Sequence, residues 1–303
     1  MDKQPFQAKH RSIAERGSTA RHAGCRRLLD DLPLLATCVA QAGQLLVGLD
    51  YDGTLTPFVA DPAQATLAPE SRAVVAVLAG RPNTAVAIVS GRRLDDVRNL
   101  VGLDGLIYAG NHGLEIQGPG MSFLEPEALE TQSAFGWLAA ALRRGLTHVA
   151  GVIVEDKALT VSVHFRQVAP AHIAEVARHV HAAAAVAPDC FDICLGSQVF
   201  EVRPRVDWQK GSAMRWIAAQ LARQGRPVAL SLFVGDDRTD EDAFDVLGDG
   251  ITIKVGDPGE TCARYHLDSP REVREFLGWL ARVSQGTCQV SKNTADDPPT
   301  APL

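Results

Sequence analysis

Two acids, Asp50 and Asp52, stand at the end of the apolar run Leu45-Leu46-Val47-Gly48-Leu49. A short apolar run bounded by turn residues is a buried-strand pattern. Side chains at i and i+2 of an extended segment share a face, so both carboxylates meet at the strand's carboxyl end. Gly53 and Thr54 then turn the chain away. Two carboxylates in one pocket repel each other, which a metal ion or phosphate chemistry would put to use, although Asp and Gly also end strands with no further role. A second acidic stretch, Gly235-Asp236-Asp237-Arg238-Thr239-Asp240-Glu241, closes the apolar run 227–234 and opens a helical pattern. A helix N-terminus uses one or two acids; this stretch carries four. Ser90 ends the apolar run 84–89, and Lys210 opens a helical stretch with Met214, Ile217 and Leu221. A lysine in that position is ordinarily solvated.

Positioning these groups requires strands that end side by side. The run 45–49, a helical pattern from Glu70 to Gly80, the run 84–89 and a second helical pattern with Leu94, Val97 and Val101 alternate along the chain. Such alternation implies a parallel sheet with helices on its faces, and ligands of these sheets bind outside the strands' carboxyl ends. Asp50, Asp52 and Ser90 all fall at such ends. A third strand, Leu106–Ala109, runs into Gly110-Asn111-His112-Gly113-Leu114-Glu115. His112 there also fits an ordinary loop histidine. Gly118-Pro119-Gly120 marks a boundary, after which short strands and two helical segments give an α+β pattern up to Arg203-Pro204. The expected organisation is α/β, a Rossmann-like parallel-sheet core from residues 34–117 and 205–284. An α+β cap, 118–204, is inserted in it. Residues 1–33 are expected to be a poorly ordered extension and 285–303 a disordered tail.

With 303 residues, 46% hydrophobic and 22% charged, the chain has a globular composition and length for a sizeable core. Its net charge of −6 gives no footprint for nucleic acid. No apolar stretch is long enough for a membrane span, and the first 33 residues hold five arginines without the apolar segment of a secretory signal. The six cysteines have no repeated short spacing, so Cys190 and Cys194 read as buried thiols and not as a metal pair. A reducing, cytoplasmic setting is expected.

The Asp50-Tyr51-Asp52-Gly53-Thr54-Leu55-Thr56 string resembles the first motif of the haloacid-dehalogenase-like phosphatases. Ser90, Lys210 and the 235–241 stretch resemble the second, third and fourth. The resemblance implies a hydrolase with Asp50 as nucleophile and Asp52 as acid/base. Ser90 would hydrogen-bond a phosphate oxygen, and Lys210 would neutralise nucleophile and phosphate. Mg²⁺ would be held by the Asp50 side chain, the Asp52 main-chain carbonyl and Asp236, with Asp240 in the outer shell. Across residues 44–270, further strings are similar to the trehalose-6-phosphate phosphatases: 110–115, Val154-Glu155-Asp156-Lys157 with His164 and Arg166, and Glu201-Val202-Arg203-Pro204. This implies that Glu155, Lys157 and Glu201 bind sugar hydroxyls, while Asn111 and His112 help orient the substrate. Without the resemblance, Glu155 and Lys157 would read as a weak pair on an exposed hairpin. The expected ligand is a small-molecule sugar phosphate, with no nucleic acid and no membrane. A trehalose-phosphate synthase is a candidate for association. The alternatives are a phosphatase of another sugar phosphate such as sucrose 6-phosphate, or a catalytically silent sensor. A sensor would be marked by loss of Asp50, Asp52, Lys210 or Asp236, and all four are present.

Overall fold

The computed structural model describes residues 24–59, 64–196 and 198–284. The chain enters through a two-residue strand β1 (Arg26–Arg27) and helix α1 (Leu28–Gln41). The first βαβ units follow: β2 (Leu45–Leu49), α2 (Pro69–Ala79), β3 (Thr84–Val89), α3 (Leu94–Val101) and β4 (Ile107–Gly110). β2, β3 and β4 are buried on both faces, which is why they read as unbroken apolar runs. A hairpin, β5 (Glu115–Gly118) and β6 (Met121–Leu124), continues the same sheet in antiparallel fashion.

The second layer of the chain is α4 (Pro126–Glu130), α5 (Gln132–Gly145), β7 (Ile153–Asp156), β8 (Val161–His164), α6 (Pro170–Ala184), β9 (Phe191–Gly196) and β10 (Val199–Pro204). Its strands form a separate antiparallel sheet, β7-β8-β10-β9. Phe135, Leu138 and Leu142 of α5 and Val176 and Val180 of α6 pack against it in their own hydrophobic core. The chain then returns to the large sheet through α7 (Lys210–Arg223), β11 (Leu230–Gly235), α8 (Glu241–Val246), β12 (Ile251–Val255), β13 (Tyr265–Leu267) and α9 (Pro270–Val283).

Among the described residues the large sheet runs β1-β13-β12-β11-β2-β3-β4-β5-β6 and is parallel from β1 to β4. One face packs on α2, α3 and α9, with Val75, Leu78, Val97, Phe276 and Leu280 buried. The other packs on α7 and α8 through Met214, Ile217, Leu221 and Phe244. After β2 the chain builds β3 and β4 on one side, then comes back to place β11 on the other. The order therefore reverses between β2 and β11, and a ligand crevice forms at such a switch point.

Two expected boundaries move. Gly118-Pro119-Gly120 is the turn of the β5–β6 hairpin, so the large sheet extends to Leu124 and the smaller unit starts at α4. A Gly-Pro-Gly string breaks a strand equally well for a hairpin as for a boundary. The expected extension 1–33 also ends early, because β1 pairs with β13 and Leu28 is fully buried against the first core face. The anticipated tail, 285–303, lies outside the described residues.

Candidate active site

Most core residues of interest follow a parallel strand, while Lys210 opens α7. Asp50 follows β2, Ser90 follows β3, Asn111 and His112 follow β4, and Asp236 follows β11. Asp50, Asp52, Ser90, His112 and Lys210 line one cavity. Lys210, 2% exposed, donates to Asp50 Oδ1 at 2.7 Å and to Asp240 Oδ1 at 2.6 Å. Asp242 sets this lysine at the head of α7 by accepting the Gly211 amide at 2.8 Å. Asp240 is further fixed because its Oδ2 accepts the amides of Asp236 and Asp237, each at 3.0 Å. Asp237 caps the short turn 238–240, with Asp240 completing the capping box, and Asp240 is itself the N-cap position of α8. Gly53 adopts φ +85°, and a Cβ there would lie 2.3 Å from Asp236 Oδ2, so glycine admits the Asp236 carboxylate beside the β2 turn.

The charges do not balance. Asp50, Asp236 and Asp240 offer oxygens all within 4.8 Å of one another, against the single ammonium of Lys210. Burial raises the Asp50 carboxyl well above its usual range, with Lys210 opposing and Asp240 and Asp236 adding to it. Burial and Asp240 push Asp236 up to about 7. Burial alone would lower Lys210, but Asp240 and Asp50 hold it raised and therefore charged. A cluster of oxygen donors short of positive charge fits a hard divalent cation. Because Asp240 already serves Lys210 and two amides, Asp50 and Asp236 are the better placed direct ligands.

The smaller unit closes the other side of the same cavity with Glu155, Lys157, His164, Arg166 and Glu201. β7, β8 and β10 are neighbours in its sheet, which brings Glu155 and Glu201 together. Lys157 Nζ donates to the Gly91 carbonyl of the core at 2.8 Å and lies 3.8 Å from Glu201 and 3.9 Å from Glu155. Against the effect of burial, His164 and Lys157 hold Glu155 down to about 2. Glu201 is likewise held well below the usual carboxylate range by His112, Arg203 and Lys157. Burial, reinforced by Arg203, lowers His112 to about 4, so its ring is neutral at pH 7. His112 Nε2 lies 2.9 Å from Glu201 Oε2, and Arg203 Nη2 lies across the ring, 3.1 Å from Nε2 and 3.3 Å from Nδ1. Cap carboxylates beside a lysine, opposite core carboxylates beside another lysine, make a pocket for a molecule with hydroxyls at one end and a phosphate at the other.

A trehalose-phosphatase family model matches residues 48–266. The chain belongs to that family. It is 39% identical over 263 residues to the probable trehalose-phosphate phosphatase 3 of Oryza sativa subsp. japonica, covering 80% of this chain and 71% of that protein. The trehalose-phosphate phosphatase of Mycobacterium tuberculosis (strain ATCC 25618 / H37Rv) is 40% identical over 247 residues, covering 80% of this chain and 62% of the longer relative. The solved C-terminal domain of the C. albicans trehalose-6-phosphate phosphatase shares the fold, with a TM-score of 0.73 at 24% identity over 86% of this chain and 99% of that one. A crystal structure of a trehalose-6-phosphate phosphatase related protein gives a TM-score of 0.70 at 25% identity, covering 79% and 98%.

The structure gathers Asp50, Asp52, Ser90, Lys210, His112, Glu155, Lys157 and Glu201 around one cavity. Asp236 and Asp240 join Asp50 beneath it. Asn111 is placed otherwise. It is fully buried behind the cavity wall, where its amide bonds to Glu115, to the Lys157 carbonyl and to Thr160. Backbone strain concentrates at the same point, since Asn111 and His112 hold φ of +47° and +59°. Sequence reasoning also gave no role to Arg92 or Arg203. Both are guanidiniums paired with site carboxylates, buried Arg92 with Asp52 and half-buried Arg203 with Glu201. The only signal for them was their place in the chain, Arg92 two residues after Ser90 and Arg203 two residues after Glu201.

Proposed function

We propose that the chain hydrolyses trehalose 6-phosphate to trehalose and inorganic phosphate with Mg²⁺ as cofactor. The observation that carries this is the single cavity bounded by the acid-lysine cluster of the core and by Glu155, Lys157 and Glu201 of the cap. Phosphate monoesters hydrolyse extremely slowly unaided, and a carboxylate nucleophile divides the reaction into two easier steps. Asp50 attacks phosphorus as the bond to the sugar oxygen breaks. The electron pair leaves on that oxygen, which takes a proton from Asp52. Asp52 then takes a proton from a water whose oxygen attacks phosphorus, the bond to Asp50 breaks, and phosphate leaves. Ser90 and Lys210 hold phosphate oxygens, the lysine being charged throughout because two carboxylates surround it. Mg²⁺, held by Asp50, Asp236 and the Asp52 main-chain carbonyl, would neutralise charge on phosphate and nucleophile.

Glu155, Lys157 and Glu201 bind hydroxyls of the non-phosphorylated ring, a task suited to charged groups that are already ionised and held in place. His112, neutral and locked between Glu201 and Arg203, keeps Glu201 oriented. The free thiols Cys190 and Cys194, with the Cys194 thiol raised by burial, support a reducing, cytoplasmic setting.

The test is phosphate release from trehalose 6-phosphate, sucrose 6-phosphate and glucose 6-phosphate, each with Mg²⁺ and with chelator. Mg²⁺-dependent release from trehalose 6-phosphate alone is expected, and its abolition in Asp50→Asn with an unchanged circular dichroism spectrum. Release from another sugar phosphate in preference would overturn the cap assignment. Turnover by a folded Asp50→Asn would overturn the nucleophile.

A further inference from the structure

Arg92 closes a fork on the acid/base candidate. Its Nε donates to Asp52 Oδ2 and its Nη2 to Asp52 Oδ1, both at 2.6 Å. The guanidinium is 10% exposed. It sits 5.4 Å from the centroid of the Tyr51 ring, which is itself buried and anchored through its hydroxyl to the Ala65 carbonyl. The Arg92 backbone is held equally firmly. Its amide donates to Ser90 Oγ at 3.2 Å, and its carbonyl accepts the Asn111 amide at 2.7 Å. The fork thus stands on a fixed base between Asp52 and Ser90, on the wall of the cavity that Asp50 and Lys210 also line.

A carboxylate with both oxygens taken by one guanidinium is held in a set orientation and is not free to turn towards a leaving oxygen. Phosphate offers the same pair of acceptor oxygens to an arginine fork as carboxylate does, with more charge. A phosphate seated on Asp50, Ser90 and Lys210 therefore competes with Asp52 for Arg92. We propose that Arg92 is a positioning residue that clasps the Asp52 carboxylate in the substrate-free site and hands its fork to the arriving phosphate, releasing Asp52 towards the leaving sugar oxygen. The proposal rests on the phosphatase reading above. It ties the readiness of the acid/base to occupancy of the phosphate site.

The experiment is calorimetric titration with inorganic phosphate in the presence of Mg²⁺, on the wild-type protein, Asp52→Asn, Arg92→Ala and the double variant. A carboxylate that competes for the fork weakens phosphate binding, so Asp52→Asn should tighten it about tenfold where Arg92 is present and about threefold or less in the Arg92→Ala background. Arg92→Ala alone should weaken phosphate binding. The affinity, unlike the amount bound, does not depend on how much of a variant folds. Simple removal of a like charge tightens binding equally in both backgrounds; that result, or no tightening at all, would overturn the proposal while leaving the phosphatase reading intact. Absence of phosphate release from trehalose 6-phosphate by the wild-type protein would overturn that reading and this one with it.

Discussion

Replacing Asn111 by alanine removes a side chain that the fold uses three times. Its Nδ2 donates to Glu115 Oε1 at 2.5 Å and to the Lys157 carbonyl at 3.1 Å, and its Oδ1 accepts from the Thr160 hydroxyl at 2.7 Å. Glu115 lies in the core sheet, whereas Lys157 and Thr160 form the turn between β7 and β8 of the cap. Two of the three bonds therefore cross from one unit to the other. A net contribution of ~1 kcal/mol for each neutral bond and ~2 for the bond to a carboxylate gives a loss of about 4 kcal/mol. Alanine also tolerates the left-handed backbone of position 111 less well than asparagine, which adds up to ~1 kcal/mol. At about 2 °C per kcal/mol for a large domain, the melting temperature should fall by roughly 8 °C or more. Asn111→Gly, which eases the backbone but breaks the same bonds, should fall slightly less. Thermal unfolding followed by circular dichroism gives this number, and Michaelis kinetics on the same samples should show KM rising as Lys157 and the cap lose their seat. A direct substrate contact, the role its motif implies, predicts another result: KM rises while the melting temperature stays within about 2 °C. That outcome would refute the structural reasoning.

Two further predictions concern charge. Mg²⁺ should raise the melting temperature of the wild-type protein, by the equivalent of about 2.7 kcal/mol at a hundred times its Kd. Asp236→Asn, which removes a ligand but keeps an acceptor for the Thr54 hydroxyl at 3.1 Å, should abolish most of that increase; an undiminished response would place the ion elsewhere. For His112, burial lowers the folded pKa to about 4 from 6.5. The unfolded chain then binds more protons than the folded one between those values, so stability falls as pH drops through that window. The loss amounts to at most about 3 kcal/mol by pH 4. His112→Gln should flatten this part of the pH profile of urea midpoints, and a slope identical to wild type would sink the assignment.

The acids at the ends of β2 and β11 were legible because they terminate apolar runs, and a buried parallel strand has no other way to end in sequence than with an abrupt change of polarity. Lys210 was found through its place in the motif order, although its burial between two aspartates has no local signature. What stayed hidden was pairing. Arg92 meets Asp52 from 40 positions away, and Arg203 meets His112 from 91. Periodicity reports which face a residue occupies, but the partner of a charged side chain depends on which strand ends the topology brings together. The hairpin 115–124 was missed for a related reason. Its strands are four residues long and only partly buried, so they lack the apolar run that revealed β2 and β3.

The loop after β4 draws these threads together. Its backbone binds the loop after β3, through the Asn111 amide on the Arg92 carbonyl and the His112 amide on the Ser90 carbonyl at 2.9 Å. Its side chains bind the cap, through Asn111 on Lys157 and Thr160 and through His112 on Glu201. A shift of the cap that strained these bonds would be felt first at Ser90 and Arg92, which line the same cavity as Asp50 and Lys210, and the strained φ values at 111 and 112 lie at the point where such a shift concentrates. The proposed sugar-binding side and the proposed phosphate side are thereby joined by one short segment, whose length and positive φ values leave it little freedom to move without moving both.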